Sequence, residues 1–147
     1  MQYKYKIGFS NQSTGLLFNN LVEDLSEEYS PSIIYTGNNL ENISVSIKEQ
    51  LIVKTLNPYI RKNNISRLFS GLIYIVNIFF RIIFARSQLL FIVSNPPFIG
   101  LIIVTLKFLF GQRYIILIYD IYPDILVGLN KFPESHLFIK LWRKMNR

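Results

Sequence analysis

Few residue types in this chain of 147 residues can do chemistry. There is no cysteine, which removes thiolate nucleophiles, thiolate metal sites and disulfides. The single histidine, His136, cannot build a histidine metal cluster. It stands beside Glu134 and Ser135 with no constellation of partners and reads as a surface or capping residue. What is left is oxygen and amide chemistry in three short segments: Ser10 to Gly15 (SNQSTG), Ser94 to Pro97 (SNPP) and Asp120 to Asp124 (DIYPD).

Each segment has a functional reading and a plain one. Asp120 directly follows the apolar run Tyr114 to Tyr119, which tolerates a buried charge only with a partner, so a role at a site is favoured for it. Asp120 and Asp124 could serve as base, as ligand to a hydroxyl or as helix cap. Asp124 follows Pro123 and precedes an apolar turn, a place that also suits ordinary first-turn charge. Ser94 and Asn95 offer a hydroxyl and an amide at a strand end, in a loop stiffened by two prolines; a rigid turn without a ligand is the alternative. Ser10 to Gly15 has one glycine and neither a GxGxxG nor a Walker lysine pattern. Its small residues would still let a substrate reach the amides at a helix N-terminus, against the alternative of an ordinary turn.

Positioning these segments is the task of the elements around them. Tyr5 to Phe9 is predicted as a strand, and Leu16 to Tyr29 as an amphipathic helix with Leu17, Leu21, Val22 and Leu25 inward and Glu23, Asp24, Glu27 and Glu28 outward. Pro31 stops that helix, and Ser32 to Tyr35 is a second strand, completing a βαβ unit. Ile43, Val45 and Ile47 alternate as an edge strand would, and Leu51 to Leu56 is a further strand. Ser66 is expected to cap a helix reaching about Arg86, with Arg67, Ser70, Tyr74, Asn77 and Arg81 as one narrow polar stripe on an otherwise apolar cylinder. Such a helix packs on two sides or touches lipid. Leu89 to Val93 and Tyr114 to Tyr119 read as strands buried on both faces of a parallel sheet. Gly100 to Phe110 is a helix between them, ended by Gly111. Pro133 to Asn146 is an amphipathic helix whose Trp142 and Met145 read as core or domain-contact residues. Alternating strands and helices define an α/β fold with a parallel sheet, and ligands of such sheets bind beyond the carboxyl ends of the strands, where all three segments emerge.

The chain is basic, with 16 Lys and Arg against 9 Asp and Glu, and half hydrophobic, with a mean hydropathy of +0.29. The basic residues flank apolar stretches, which suits lipid headgroups or lipid-linked phosphates better than nucleic acid. Arg67, Phe79, Phe80, Arg81 and Arg86 are the candidate membrane contacts. Ser87 to Leu106 is uncharged over about the length of a bilayer crossing. Asn95-Pro96-Pro97 interrupts it, so peripheral contact is favoured over a spanning segment. The N-terminus has no apolar segment behind its charges and does not read as a signal peptide, so a cytoplasmic protein peripheral to the inner face of the plasma membrane is expected.

The order of TG-x-L at Thr14 to Leu17, SNPPF at Ser94 to Phe98 and DIYPDILVGL at Asp120 to Leu129 resembles family 4 glycosyltransferases. More narrowly it is similar to those that build colanic acid, O-antigen and other exopolysaccharides. The resemblance implies a GT-B fold of two Rossmann-like domains. Residues 1–147 would form the N-terminal, acceptor-side domain, a Rossmann-like parallel sheet flanked by helices and incomplete relative to the family. It further implies retaining, metal-independent transfer of a sugar from a nucleotide-sugar donor to a lipid-linked saccharide. Asp120 would be catalytic, and Thr14, Gly15, Ser94, Asn95, Tyr122 and Asp124 would contact the acceptor. No metal site and no cofactor is expected, the nucleotide-sugar being a substrate held mainly by the second domain. That donor-binding domain, with its E-x7-E motif, has no counterpart here; Glu41 and Glu49 have the spacing but fall in the wrong domain. The expected partners are the membrane surface, the lipid-linked acceptor and a separate C-terminal glycosyltransferase domain, without nucleic acid, and the chain alone is expected to be inactive. Two other functions fit the same helices: a non-catalytic membrane platform for a separate catalytic domain, and a small integral membrane protein.

Overall fold

Parallel strands cannot be joined by tight turns, so each connection must cross back over the sheet, and it does so with one hand. The computed structural model, which describes residues 4–38, 40, 47, 50–60, 62–96, 98–118 and 124–145, follows this rule on both sides of its first strand. The strands are β1 (Tyr5–Asn11), β2 (Ser32–Thr36), β3 (Leu51–Thr55), β4 (Ser87–Val93) and β5 (Arg113–Leu117). They form one parallel sheet in the order β3-β2-β1-β4-β5. Growth of the sheet in two directions from β1 sends the crossover helices to opposite faces. Helix α1 (Leu16–Glu28) covers one face, while α2 (Asn64–Ala85) and α3 (Ile99–Phe110) cover the other. This is a Rossmann-like α/β fold. Two compact units are distinguished, Met1–Leu117 and Ile118–Arg147. The second holds α4 (Asp124–Gly128) and α5 (Leu137–Met145).

Two cores result. Under α1, Ile7 and Phe9 of β1, Ile34 of β2 and Val93 of β4 meet Phe18 and Val22. Phe9 contacts Phe18 edge-on at 6.4 Å between ring centroids. Under α2 and α3, Ile33 and Tyr35 of β2 and Leu90 and Ile92 of β4 meet Tyr74, Ile78, Ile82, Ile103 and Leu106. Burying a side chain of this size stabilises by about 1.5–3 kcal/mol each, so both faces contribute to folding.

Several expectations from the sequence are corrected. On α1, Leu21, Val22 and Leu25 face the core as expected, but Leu17 is 80% exposed and Phe18, at 1%, takes its place. Asn63, not Ser66, caps α2; its side chain accepts a hydrogen bond from the Ser66 amide at 2.7 Å. The polar stripe of α2 splits. Ser70 and Tyr74 point into the protein and are buried, whereas Arg67 and Arg81 are exposed. Ile47 is helical and buried under the α1 face rather than part of an edge strand, and residues 41–46 lie outside the described residues. The run at β5 is half-exposed because it forms one border of the sheet instead of its interior. Ser87 to Leu106 folds as strand, turn and helix, as expected, and not as a span. The last helix starts at Leu137 rather than Pro133. Gly111 ends α3 as expected, in the left-handed region (φ 65°), its amide donating to the Lys107 carbonyl at 2.9 Å.

Candidate functional site

The strand order reverses between β1 and β4: the chain builds outward from β1 through β2 and β3, then returns to its other side. At such a switch point the loops leaving the two strands turn away from one another and open a crevice beyond the carboxyl edge. The loops here are Gln12 to Gly15 after β1 and Ser94 to Pro96 before α3. Ser10 of β1 pairs in register with Ile92 of β4, so the two loops leave neighbouring positions. Thr14, Gly15, Ser94 and Asn95 therefore share one stretch of edge.

Buried polar groups stitch the base of this edge together. Gln12 is fully buried; its side-chain Nε2 donates to the Ser70 backbone carbonyl at 2.9 Å and the Asn57 backbone carbonyl at 3.3 Å, while its backbone carbonyl accepts the Gly37 amide at 3.0 Å. Gly37 is required for space, since a Cβ there would stand 2.6 Å from the backbone oxygens of both Gln12 and Asn57. Tyr74 of α2 donates its hydroxyl hydrogen to the Tyr35 carbonyl at 2.9 Å. Its only proton is thus committed, so Ser10 Oγ, 3.0 Å away, donates to the Tyr74 oxygen. Burial pushes the hydroxyls of Tyr74 and Tyr35 well above the usual tyrosine range, so both stay neutral and remain donors.

Above this base the loops are more open. The Asn11 side chain accepts from the Ser13 amide at 3.2 Å and shapes the turn. Gly15 caps α1 with extended backbone, no side-chain cap and open space around its α-carbon. Gly15 itself offers no side-chain acceptor to the first amides of α1. Across the crevice, the Ser94 amide donates to the Leu117 carbonyl at 2.9 Å, tying this loop to the end of β5. Pro96 is buried close to Gly71 of α2, where a Cβ would come within 3.0 Å.

The third segment divides. β5 ends on the same edge, beside β4. Asp120 and Tyr122 lie outside the described residues. Asp124 opens α4 in the second unit and is ion-paired with Arg143, whose Nε donates to it at 2.8 Å while Nη1 donates to Glu134 at 2.7 Å. The two carboxylates hold the guanidinium above its usual pKa, Glu134 contributing most. His136 immediately precedes α5, its ring edge-on to Phe132 at 5.2 Å. Of the expected membrane contacts, Arg67, Phe80, Arg81 and Arg86 are exposed, whereas Phe79 is partly buried against the core. Sequence reasoning missed Gln12 and Gly37 as site-building residues. Tyr74 belongs to the polar stripe of α2, whose inward direction is set by Ser10 and the Tyr35 carbonyl, far from it in sequence.

No family model matches the chain, and no curated protein does. Among solved structures it is similar to the C-terminal domain of a hydrogenase from Pyrococcus furiosus, with a TM-score of 0.51 and 11% identity over 79% of this chain and 93% of that one. At that identity the likeness is one of fold.

Proposed function

We propose that this chain is the acceptor-side part of a membrane-associated glycosyltransferase of cell-surface polysaccharide synthesis, working with a donor-binding domain in the same or another polypeptide. One observation supports it above the rest: the Thr14-Gly15 and Ser94-Asn95 segments, which carry the resemblance to family 4 glycosyltransferases, leave adjacent strands at the switch point of the sheet. The N-terminus of α1 there, capped by a glycine, suits a phosphate, such as the diphosphate of a lipid-linked sugar. By the resemblance, Thr14, Gly15, Ser94, Asn95, Tyr122 and Asp124 would contact the acceptor. Asp120 would take the catalytic role beyond β5, and the sugar would come from a nucleotide-sugar.

The test is reconstitution. The chain is combined with separately produced donor-binding domains, labelled nucleotide-sugars and prenyl-diphosphate-linked saccharides in vesicles, and the label reaching lipid is counted. Transfer is expected only when both proteins are present, with a loss of about a hundredfold or more for Asp120→Asn. Transfer by the donor domain alone at an equal rate contradicts the proposal and favours a non-catalytic platform.

A further inference from the structure

The two faces of the sheet differ in charge. Helix α1 contains Glu23, Asp24, Glu27 and Glu28 and no Lys or Arg. From Gln50 to Tyr119, a stretch that includes α2, β4, α3 and β5, there is no Asp or Glu at all against eight Lys or Arg. On the helices themselves, the four carboxylates stand on the α1 side of the sheet, and Arg67, Arg81 and Lys107 stand on the side of α2 and α3.

The basic side is also the apolar one. Helices α2 and α3 lie next to each other over one core, and both send large side chains away from it. Phe84 is 79% exposed and Phe108 is 88% exposed; Phe69, Val76, Phe80 and Val104 are exposed as well. Arg67, Arg81, Arg86 and Lys107, on or beside the same two helices, are exposed too, so this side combines apolar surface with positive charge, the two attractions that hold a protein at an anionic interface.

α2 is long and apolar enough to cross a bilayer by composition. Its inner side is nevertheless committed to the sheet: Tyr74 is fully buried and bonded to Ser10 and to the Tyr35 carbonyl, and Ile78 and Ile82 lie in the core. Pulling α2 out to span would strip those groups of their partners, so the helix can only lie in the plane of the interface. A second copy of the chain fits this surface poorly, because apposing like faces would bring two basic surfaces together, and α1 offers four carboxylates and only Leu16 and Leu17 as large exposed apolar side chains.

We infer that the outer side of α2 and α3 is an in-plane docking surface for an anionic lipid bilayer, with the acidic α1 face turned to water. The inference deepens the membrane part of the proposed function and rests on that part, not on sugar transfer. In this orientation the strands run along the bilayer, and the switch-point edge opens beside the headgroups, within reach of a lipid-anchored phosphate.

Flotation of the full chain with vesicles tests it, using phosphatidylcholine alone and phosphatidylcholine with about one third phosphatidylglycerol. The chain is expected to float with the anionic vesicles, to stay behind with neutral ones, and to bind less as salt rises. Phe84→Ser with Phe108→Ser should lower partitioning about tenfold or more. Arg81→Glu with Lys107→Glu should remove the preference for phosphatidylglycerol, and Glu27→Gln with Glu28→Gln should leave binding unchanged. Circular dichroism checks that each variant is folded. Undiminished flotation of the first two variants overturns the inference. So does a concentration-dependent dimer in lipid-free sedimentation that the same substitutions dissolve. Vesicle binding without any sugar transfer removes the glycosyltransferase reading but keeps the surface; transfer to an acceptor without vesicle binding does the reverse.

Discussion

The two faces of the sheet solve the same problem in opposite ways. α1 buries Phe18 and Val22 and shows carboxylates to water, the usual arrangement for a surface helix. α2 buries Ser70 and Tyr74 along with its isoleucines and shows phenylalanines outward. The inner side of α2 is polar where it meets the carboxyl edge of the sheet and apolar farther along, so this helix both fastens the site and leaves an apolar surface behind. A polar stripe on a helix thus marks the solvent side only when nothing polar awaits it inside.

Three perturbations sharpen that contrast. Removing the tyrosine ring should have the largest effect: Tyr74→Ala is expected to cost about 3–5 kcal/mol in urea unfolding, as large aromatic-to-alanine changes in a core do. Tyr74→Phe keeps the packing and should cost about 1–3 kcal/mol, because the Tyr35 carbonyl loses its donor and Ser10 its acceptor. The pH dependence follows in sign. The folded-state hydroxyl of Tyr74 is raised above the free tyrosine value of about 10, so its stabilising contribution is full below that pH. It is lost as pH rises further, since the unfolded chain then releases a proton that the folded one retains. The alkaline fall in stability should be shallower in Tyr74→Phe than in the parent.

An effect of the same size as that of Tyr74→Phe is expected at Gly37. Gly37→Ala forces a methyl group against two backbone oxygens and should cost about 1–3 kcal/mol, measured by the same unfolding curves. The smallest belongs to the outer face: Phe84→Ser should change lipid-free stability by no more than about 0.5 kcal/mol, while Phe18→Ala on the other side of the sheet costs about 3–5 kcal/mol. Equal losses at Phe84 and Phe18 would mean that the outer face of α2 is covered in solution.

Much of this architecture could be read from local pattern. Strands such as Tyr5–Asn11 and Ser87–Val93 were found because apolar runs of strand length are bounded by polar or proline-containing turns, and Gly111 marked the end of α3 because only its backbone conformation was at stake. Failures arose where two patterns overlap or where the deciding partner is distant in sequence. Leu16, Leu17 and Phe18 offer two helical stripes, and which one faces inward is settled by Phe9, a strand away. Asn63 and Ser66 are both capping types three residues apart, and the asparagine wins by accepting from the serine amide. Nothing local distinguishes the border strand Arg113–Leu117 from an interior one, because its exposure depends on which strands stand beside it. The same holds for the site. Thr14, Gly15, Ser94 and Asn95 were legible as loop residues at strand ends. Gln12 was not, because its hydrogen bonds reach Ser70 and Asn57, which no short motif connects to it.

The switch-point assignment is tested most directly by titrating the isotope-labelled chain with a water-soluble, short-chain prenyl-diphosphate sugar while following its backbone amide resonances. Saturable shifts concentrated at residues 12–15 and 94–95, weakened by Ser94→Ala and Asn95→Ala, are the expected result. Shifts confined to other parts of the chain, or saturation unaffected by both substitutions, would contradict it.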